Sequence, residues 1–423
     1  MRIVHTGDWH LNHRLGRINF NEFLQTAAAG VVEQARTRQA EVLLIAGDLL
    51  AGREGREQLK GTVQFLKKTL RPYLDEGGTV LVISGNHDSE AFFETLRDAF
   101  DLVAPATTGD GSTHAPGRLY VAPNPTVRTI RGRDGLEVQF VLMPFPTPRA
   151  YIEGESASYR NSEERNAAVG QRFRERLQRI VRGLDPTRPA VLVGHSLVRG
   201  VSVSDYFQPS DAEDVILETT DLLPNFAYGA FGHIHKAQPV AGGNRFWYCG
   251  SLLPLDAGES GQEKCALLAE VTRDGLVGPP EKLPVCGGPN LYSITIHPDD
   301  IESLVEKYPD HAQAIVKYCL RYSPSEHPDP YVLHRRVRQI FPLWYDSEEE
   351  RTGLEESAGQ PVGPRDLGDV RGTVLNYLRD EAPWGADDGA REEVIALAES
   401  LLADAEFVAS LRQPRRVHGG RRN

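Results

Sequence analysis

Five short apolar runs in this chain end the same way, and that ending constrains the fold more than any other feature. Val42–Ala46 runs straight into Gly47 and then Asp48. IVHTGDWH puts Asp8 and His10 after Gly7, and TVLVISGNHD puts Asn86, His87 and Asp88 after Gly85. AVLVGHS puts His195 after Gly194, and AYGAFGHIH puts His233 and His235 after Gly232. A short apolar run closed by Gly reads as a buried strand that hands its next residue to a tight turn. Gly permits both the turn and a close backbone approach. Carboxylate, amide and imidazole groups are therefore expected to converge on one rim of a sheet. Asp48 is the candidate to tie them together, as a carboxylate shared by two metal ions.

The first 100 residues alternate strand and helix: strands at Arg2–Thr6, Val42–Ala46 and Thr79–Ser84, helices at Phe20–Arg38, Arg56–Glu76 and Ser89–Phe100. Such alternation predicts parallel strands covered by helices. Gly109–Met143 and Phe226–Val285 read as Gly/Pro-punctuated β segments. Between them, a helix over Ser162–Leu184 leads to a strand at Ala190–Val193. The expected fold class is α/β, with two mixed β-sheets sandwiched between helices. At 423 residues the chain exceeds what one core usually supports. Residues 1–286 are expected to form the main domain and residues 287–345 a small α/β capping domain, with one helix capped by Asp299. A linker over 346–365 then leads to a helical partner-binding arm over 366–412 and a basic tail over 413–423. In the arm, Leu367, Val370, Val374 and Leu378 share one face, and Val394, Leu397, Leu401, Ala405 and Val408 another.

The formal net charge of −12 would suit a nucleic-acid partner poorly if it were evenly spread. It is not. Residues 346–411 hold 17 acidic and 5 basic side chains, and the remainder is balanced at 42 against 42. A neutral remainder leaves room for local basic faces. Arg14 and Arg17 form one nucleic-acid-binding candidate, and Arg172, Arg174, Arg176, Arg179 and Arg182 another. No apolar run approaches a membrane span. The N-terminus enters a motif directly, so no signal peptide is expected. Cys249, Cys265, Cys286 and Cys319 show no CxxC spacing and read as reduced thiols of a cytoplasmic, nucleoid-associated protein.

In an extended chain residues i and i+2 point to one side, so Asp8 with His10, and His233 with His235, each present two donors together. Oxygen and nitrogen donors without thiolates suit Mn²⁺, Fe or Zn²⁺ rather than an iron–sulfur cluster. Two such ions roughly 3.5–4 Å apart activate water and clamp a phosphate ester. His87 is better placed as an uncoordinated group contacting the phosphate or the leaving group.

Taken in this order, DxH, GDxx, GNHD, GH and GHxH resemble the calcineurin-like metallophosphoesterase superfamily. Within it, MRIVHTGDWHLN, LLIAGDLL, VLVISGNHDS and YCGSLLPLDAGE are similar to the SbcD family of bacterial nuclease subunits. The likeness covers the first 285 residues well and the rest more loosely. It implies the metallophosphoesterase fold and two Mn²⁺ ions, with Mg²⁺, Fe or Zn²⁺ as other candidates. It places Asp8, His10, Asp48 and His235 on one ion, and Asp48, Asn86, His195 and His233 on the other. His87 becomes the catalytic histidine, with Asp88 supporting the site. It further implies nuclease action on double-stranded and hairpin DNA, as a homodimer within a heterotetramer with the SbcC coiled-coil ATPase. Two departures stand out. Ala51, three residues after Asp48, stands where phosphoprotein phosphatases carry Asp, and the family's GSP is here Gly250–Leu252, GSL. Two other classes compete: a small-molecule phosphodiesterase or phosphatase, which needs no cap or acidic arm, and a non-catalytic scaffold, which should have lost ligands. All eight candidate positions are present here.

Overall fold

The computed structural model describes residues 1–52, 54–102, 113–152, 159–203, 215–221, 226–240, 244–352 and 394–400. The chain divides into two units, Met1–Thr352 and Gly353–Asn423.

In the first unit, the strand Val42–Ala46 shows why the sheets form. Every residue is buried: Leu43 and Ile45 face a helix-covered core, and Val42, Leu44 and Ala46 face a second core. It pairs in parallel with Arg2–Thr6 and with Thr79–Ile83, which pairs in turn with Leu119–Ala122. Cys265–Thr272 runs antiparallel beside Arg2–Thr6 and completes a mixed sheet. The second mixed sheet is ordered Gln238–Pro239, Phe246–Tyr248, Tyr228–Gly232, Ala190–His195, Glu137–Met143 and Thr126–Arg131. Its three central pairings are parallel.

The two sheets pack face to face through Ile3, Leu44, Ile83, Val138, Phe140 and Val193. Helices cover the outer faces. Asn21–Thr37 buries Leu24, Ala27, Ala28, Val31, Val32 and Ala35, the 3.6-residue stripe of a helix lying on a sheet. Ser162–Arg182 does the same on the second sheet with Val169, Phe173 and Leu177. The result is the expected sandwich of two mixed sheets between helices.

From Leu291, a three-stranded parallel sheet of Leu291–Ile296, Ile315–Tyr322 and Leu343–Arg351 packs against the helix Pro330–Ile340. Two expectations change here. Asp299 lies inside a 3₁₀ turn, Pro298–Ser303, that begins after His297, so it does not cap a helix. The last strand runs to Arg351, so the first residues of the expected linker over 346–365 are strand. Most of the expected arm lies outside the described residues; only 394–400, a helical stretch, falls within them. Among the described residues no helix is long and apolar enough to cross a membrane.

Candidate dimetal site

Four of the five runs become parallel strands that end in donor-bearing turns, and the fifth, Ala190–His195, ends on its donor. Ligand sites of open α/β sheets favour this carboxyl rim. The turns are zipped together by their backbones: Asp8 N–H donates to the Gly47 carbonyl, His10 N–H to Asp48 and Leu11 N–H to Leu49, each at 3.0 Å.

Glycine before the donor is a matter of space. A Cβ on Gly47 would lie 2.2 Å from His195 Nδ1, and one on Gly232 would lie 2.0 Å from the Ala46 carbonyl oxygen. The donors themselves carry strain. Asp8, His10, Asp48 and His233 all adopt positive φ, at 48°, 43°, 49° and 90°. Asp, Asn and His tolerate that region better than other side chains, and such strain is typical of functional sites.

Asp48 lies at the centre. Its Oδ1 accepts the His87 N–H at 2.9 Å. Its Oδ2 lies 3.5 Å from His10 Nε2 and 3.4 Å from His195 Nε2. On the first side, donor atoms of Asp8, His10 and His235 lie within 4.8 Å of one another. On the other, Asn86 Oδ1 is 3.0 Å from His195 Nε2 and 3.1 Å from His233 Nδ1. The Asp8 carboxylate accepts the His233 N–H at 3.0 and 3.1 Å. His87 Nδ1 hydrogen-bonds the Ala51 carbonyl at 3.1 Å, and its ring stacks edge-on against His10. A cleft of about 160 Å³ opens here, lined among others by Asp48, Asn86, His87, His233 and His235.

The histidine tautomers test whether cations fit. His195 Nδ1 donates to the Ala46 carbonyl at 2.7 Å, so a neutral ring turns its Nε2 lone pair toward the oxygens of Asn86 and Asp48. His235 Nδ1 donates to Glu259 at 2.7 Å, and its Nε2 faces His10 Nε2 at 3.2 Å. With Nδ1 held in this way, each neutral ring offers its Nε2 lone pair to a cation, and an all-oxygen-and-nitrogen set suits hard or borderline divalent ions. The cluster is a candidate site for two divalent metals.

Without an ion, protons on two of the rings supply the positive charge that the carboxylates call for. Burial pushes the Asp8 carboxyl up to about 6, with His195 and His235 pulling it back. Burial would raise Asp48 too, but His195 and His10 outweigh it and hold that carboxyl well below its usual range. Burial opposes charge on His195 and His235 alike, yet Asp48 lifts the first to about 9 and Glu259 lifts the second to about 9. Burial takes His233 down to about 3, and the neighbouring His195 adds to the shift.

Three expected residues lie apart from this cluster. Asp88 turns back into the loops, where its carboxylate accepts the N–H groups of Gly85, Leu49 and Leu50 at 2.8, 3.2 and 2.9 Å. Arg17 lies over the Trp344 ring at 4.6 Å and donates to the Pro342 carbonyl at 3.3 Å. Arg14 is exposed and donates to the Arg17 carbonyl at 3.1 Å. In the Arg-rich helix, Arg172 pairs with Glu175 and Arg174 with Asp221.

Two groups escaped the sequence reading. Phe145 walls the second side, its ring 6.1 Å from His195 and 5.8 Å from His233. Glu259 backs His235 from the DAGE turn. Neither follows a glycine at a strand end, which was the signal that marked the others.

Comparison with known proteins places this geometry in context. The sequence model of the calcineurin-like phosphoesterase family matches residues 1–237. The SbcD component of the nuclease SbcCD from Escherichia coli (strain K12) is 29% identical over 276 residues, covering 62% of this chain and 63% of that protein. The corresponding SbcCD component of Staphylococcus epidermidis is 25% identical over 285 residues, covering 66% and 68%. The chain thus spans a little under two thirds of the length of its Escherichia coli relative. Among solved structures, a dimetal phosphatase from Danio rerio covers 68% of this chain and 99% of its own, at 11% identity and a TM-score of 0.39.

Proposed function

The chain belongs to the calcineurin-like phosphoesterase family, and from that premise we propose that it is a Mn²⁺-dependent DNA nuclease. It acts on duplex ends as an exonuclease and on single strands or hairpins as an endonuclease, in DNA end processing. Its partner is an ATP-driven coiled-coil protein of the SbcC kind, and the working assembly holds two copies of each. The observation that carries the chemistry is Asp48 Oδ2, set between His10 Nε2 and His195 Nε2 at 3.5 and 3.4 Å. The DNA substrate and the partner rest on the likeness to the SbcCD nucleases.

When bound, two divalent ions activate water and neutralise charge developing on a phosphodiester. Asp8, His10 and His235 would hold one, Asn86, His195 and His233 the other, with Asp48 spanning both. The chain's own task is preorganisation. The His87 and His233 N–H groups fix the two carboxylates before any ligand arrives. The Ala51 carbonyl holds His87 Nδ1 and so orients the ring whose other nitrogen can give a proton to, or share one with, the departing oxygen.

The deciding experiment sets the purified chain with Mn²⁺ on end-labelled duplex and hairpin DNA beside a chromogenic phosphodiester. Cleavage of both DNAs supports the nuclease reading. Turnover of the chromogenic ester with both DNAs intact replaces it with a small-molecule phosphodiesterase.

A further inference from the structure

Glu259 belongs to neither set of proposed ligands, yet it is as deeply placed as Asp48, at 1% exposure. It ends the turn Ala257–Glu259, which Asp256 begins by accepting the Gly258 N–H at 2.7 Å. A buried carboxylate persists only where its oxygens are satisfied, and both are. Oε1 accepts from His235 Nδ1 at 2.7 Å. Oε2 accepts from the Lys264 ammonium and shares the single Ser251 hydroxyl proton, at 3.0 Å, with the Leu253 carbonyl at 2.9 Å. Lys264, whose side chain is only 5% exposed, gives further bonds to the His235 carbonyl at 2.8 Å and to Gln262 Oε1 at 3.3 Å. One ammonium thus grips the backbone of His235 directly and its ring through Glu259.

The other side of the cleft is built differently. There His195 Nδ1 leans on a neutral carbonyl, that of Ala46. A carboxylate behind an imidazole fixes its tautomer and makes its outer nitrogen a stronger donor; a carbonyl does so more weakly. Glu259 also lines the cleft, so an oxygen left free could turn into it. Lys264 and Ser251 occupy that oxygen.

We infer that Glu259, locked by Lys264 and Ser251, is a positioning residue that aims His235 Nε2 at the ion position shared with Asp8 and His10. The two ion positions are therefore unequal, and only this one depends on Glu259. The inference rests on the two-ion reading of the cleft.

The test titrates Mn²⁺ alone into the full chain, stripped of metal by chelator, in a calorimeter. The wild type gives two binding events. Glu259→Gln keeps the shape and removes the charge; it weakens one event by about 10–100-fold and leaves the other within about twofold. Asn86→Ala weakens the other event, and the double variant weakens both. Unchanged affinities in Glu259→Gln, with one event lost in His235→Ala, overturn the inference while the two-ion reading stands. Two intact events in His235→Ala overturn that reading and the inference with it. Removing one member of a buried ion pair can unfold a protein, so Glu259→Gln/Lys264→Met removes both charges together. One weakened event at an unchanged melting temperature of the metal-free chain supports the inference. A lowered melting temperature with both events weakened alike marks a merely structural role and overturns it.

Discussion

His5 takes no part in the cleft, yet it should contribute to how the protein responds to acid. It is wholly buried, with Nδ1 on the Tyr228 hydroxyl at 2.9 Å and Nε2 on the Phe231 carbonyl at 3.2 Å. Burial pulls it down to about 3, against the pull of that carbonyl. In the unfolded chain it titrates near 6.5. Between those values the unfolded state binds the extra proton, so stability rises with pH and is lost as pH falls below about 6.5. From pH 7 to pH 5 the loss comes to about 2 kcal/mol. Urea unfolding of the chelated chain at the two pH values checks this: the wild type should lose about 2 kcal/mol more than His5→Gln. Equal losses would refute it. His87 gives a second prediction. Its side chain lies beside His10 and Asp48, close enough for a ligand. If it instead contacts the reacting phosphate, His87→Ala keeps both ions and loses about 10²–10⁴-fold in turnover. Calorimetry that shows an ion lost with the activity moves His87 into the ligand set. The donors around Asp48 were legible because each follows a strand and a glycine. Glu259 was not, because a glutamate reads the same in sequence whether its partner is water or a buried lysine.

The turns make glycine's role separable from its flexibility. Gly85 needs no positive φ, yet a Cβ there would meet Asp48 Oδ1 at 2.1 Å and its backbone nitrogen at 2.4 Å. Gly85→Ala must therefore move the carboxylate that both ion positions share, costing about 1–3 kcal/mol as overpacking does. Calorimetry should show both Mn²⁺ events weakened. Gly30 is the control: it lies within the helix Asn21–Thr37 with nothing within 4 Å of an added Cβ. Gly30→Ala should raise stability by about 0.5–1 kcal/mol and leave metal binding alone. A Gly85→Ala chain that binds both ions as the wild type does would show that the turn relaxes around the methyl. The eight strands and helices that could be given bounds in residues 1–195 were legible to within two residues, since burial on two faces or on one stripe leaves its period in the sequence. The strand Leu343–Arg351 was not. Its second half, DSEEER, is composed like a linker, but Lys317 meets Asp346 and Glu348 at 3.2 and 2.7 Å, and Arg321 pairs with Glu350. Cross-strand charge pairing stabilises a sheet, and a single strand's sequence cannot display its neighbour's charges.

For the molecule entire, the question is what the acidic end of the chain is for. The last strand and its neighbour are tied as far as the Thr352 N–H, which donates to the Tyr322 carbonyl at 2.8 Å. A truncation meant to spare this three-stranded sheet therefore belongs after Thr352, because a cut at Tyr345 would remove most of a strand. Beyond it, Leu367, Val370, Val374 and Leu378 keep a helical spacing, as do Val394, Leu397, Leu401, Ala405 and Val408. Isolated amphipathic helices gain little by folding alone and are stabilised by burying their stripe against another surface. The acidic residues around those stripes would repel DNA, which argues for a protein groove or a helix of the coiled-coil ATPase proposed as its partner. A chain ending at Thr352 should bind two Mn²⁺ ions and hydrolyse a simple diester at a rate close to that of the full chain. It should fail to co-purify with that ATPase and lose ATP-dependent processing of duplex ends. Normal co-purification would put the dock elsewhere on the protein. Aggregation of the shortened chain, or a fall in its melting temperature, would instead make the arm part of the catalytic unit's own core.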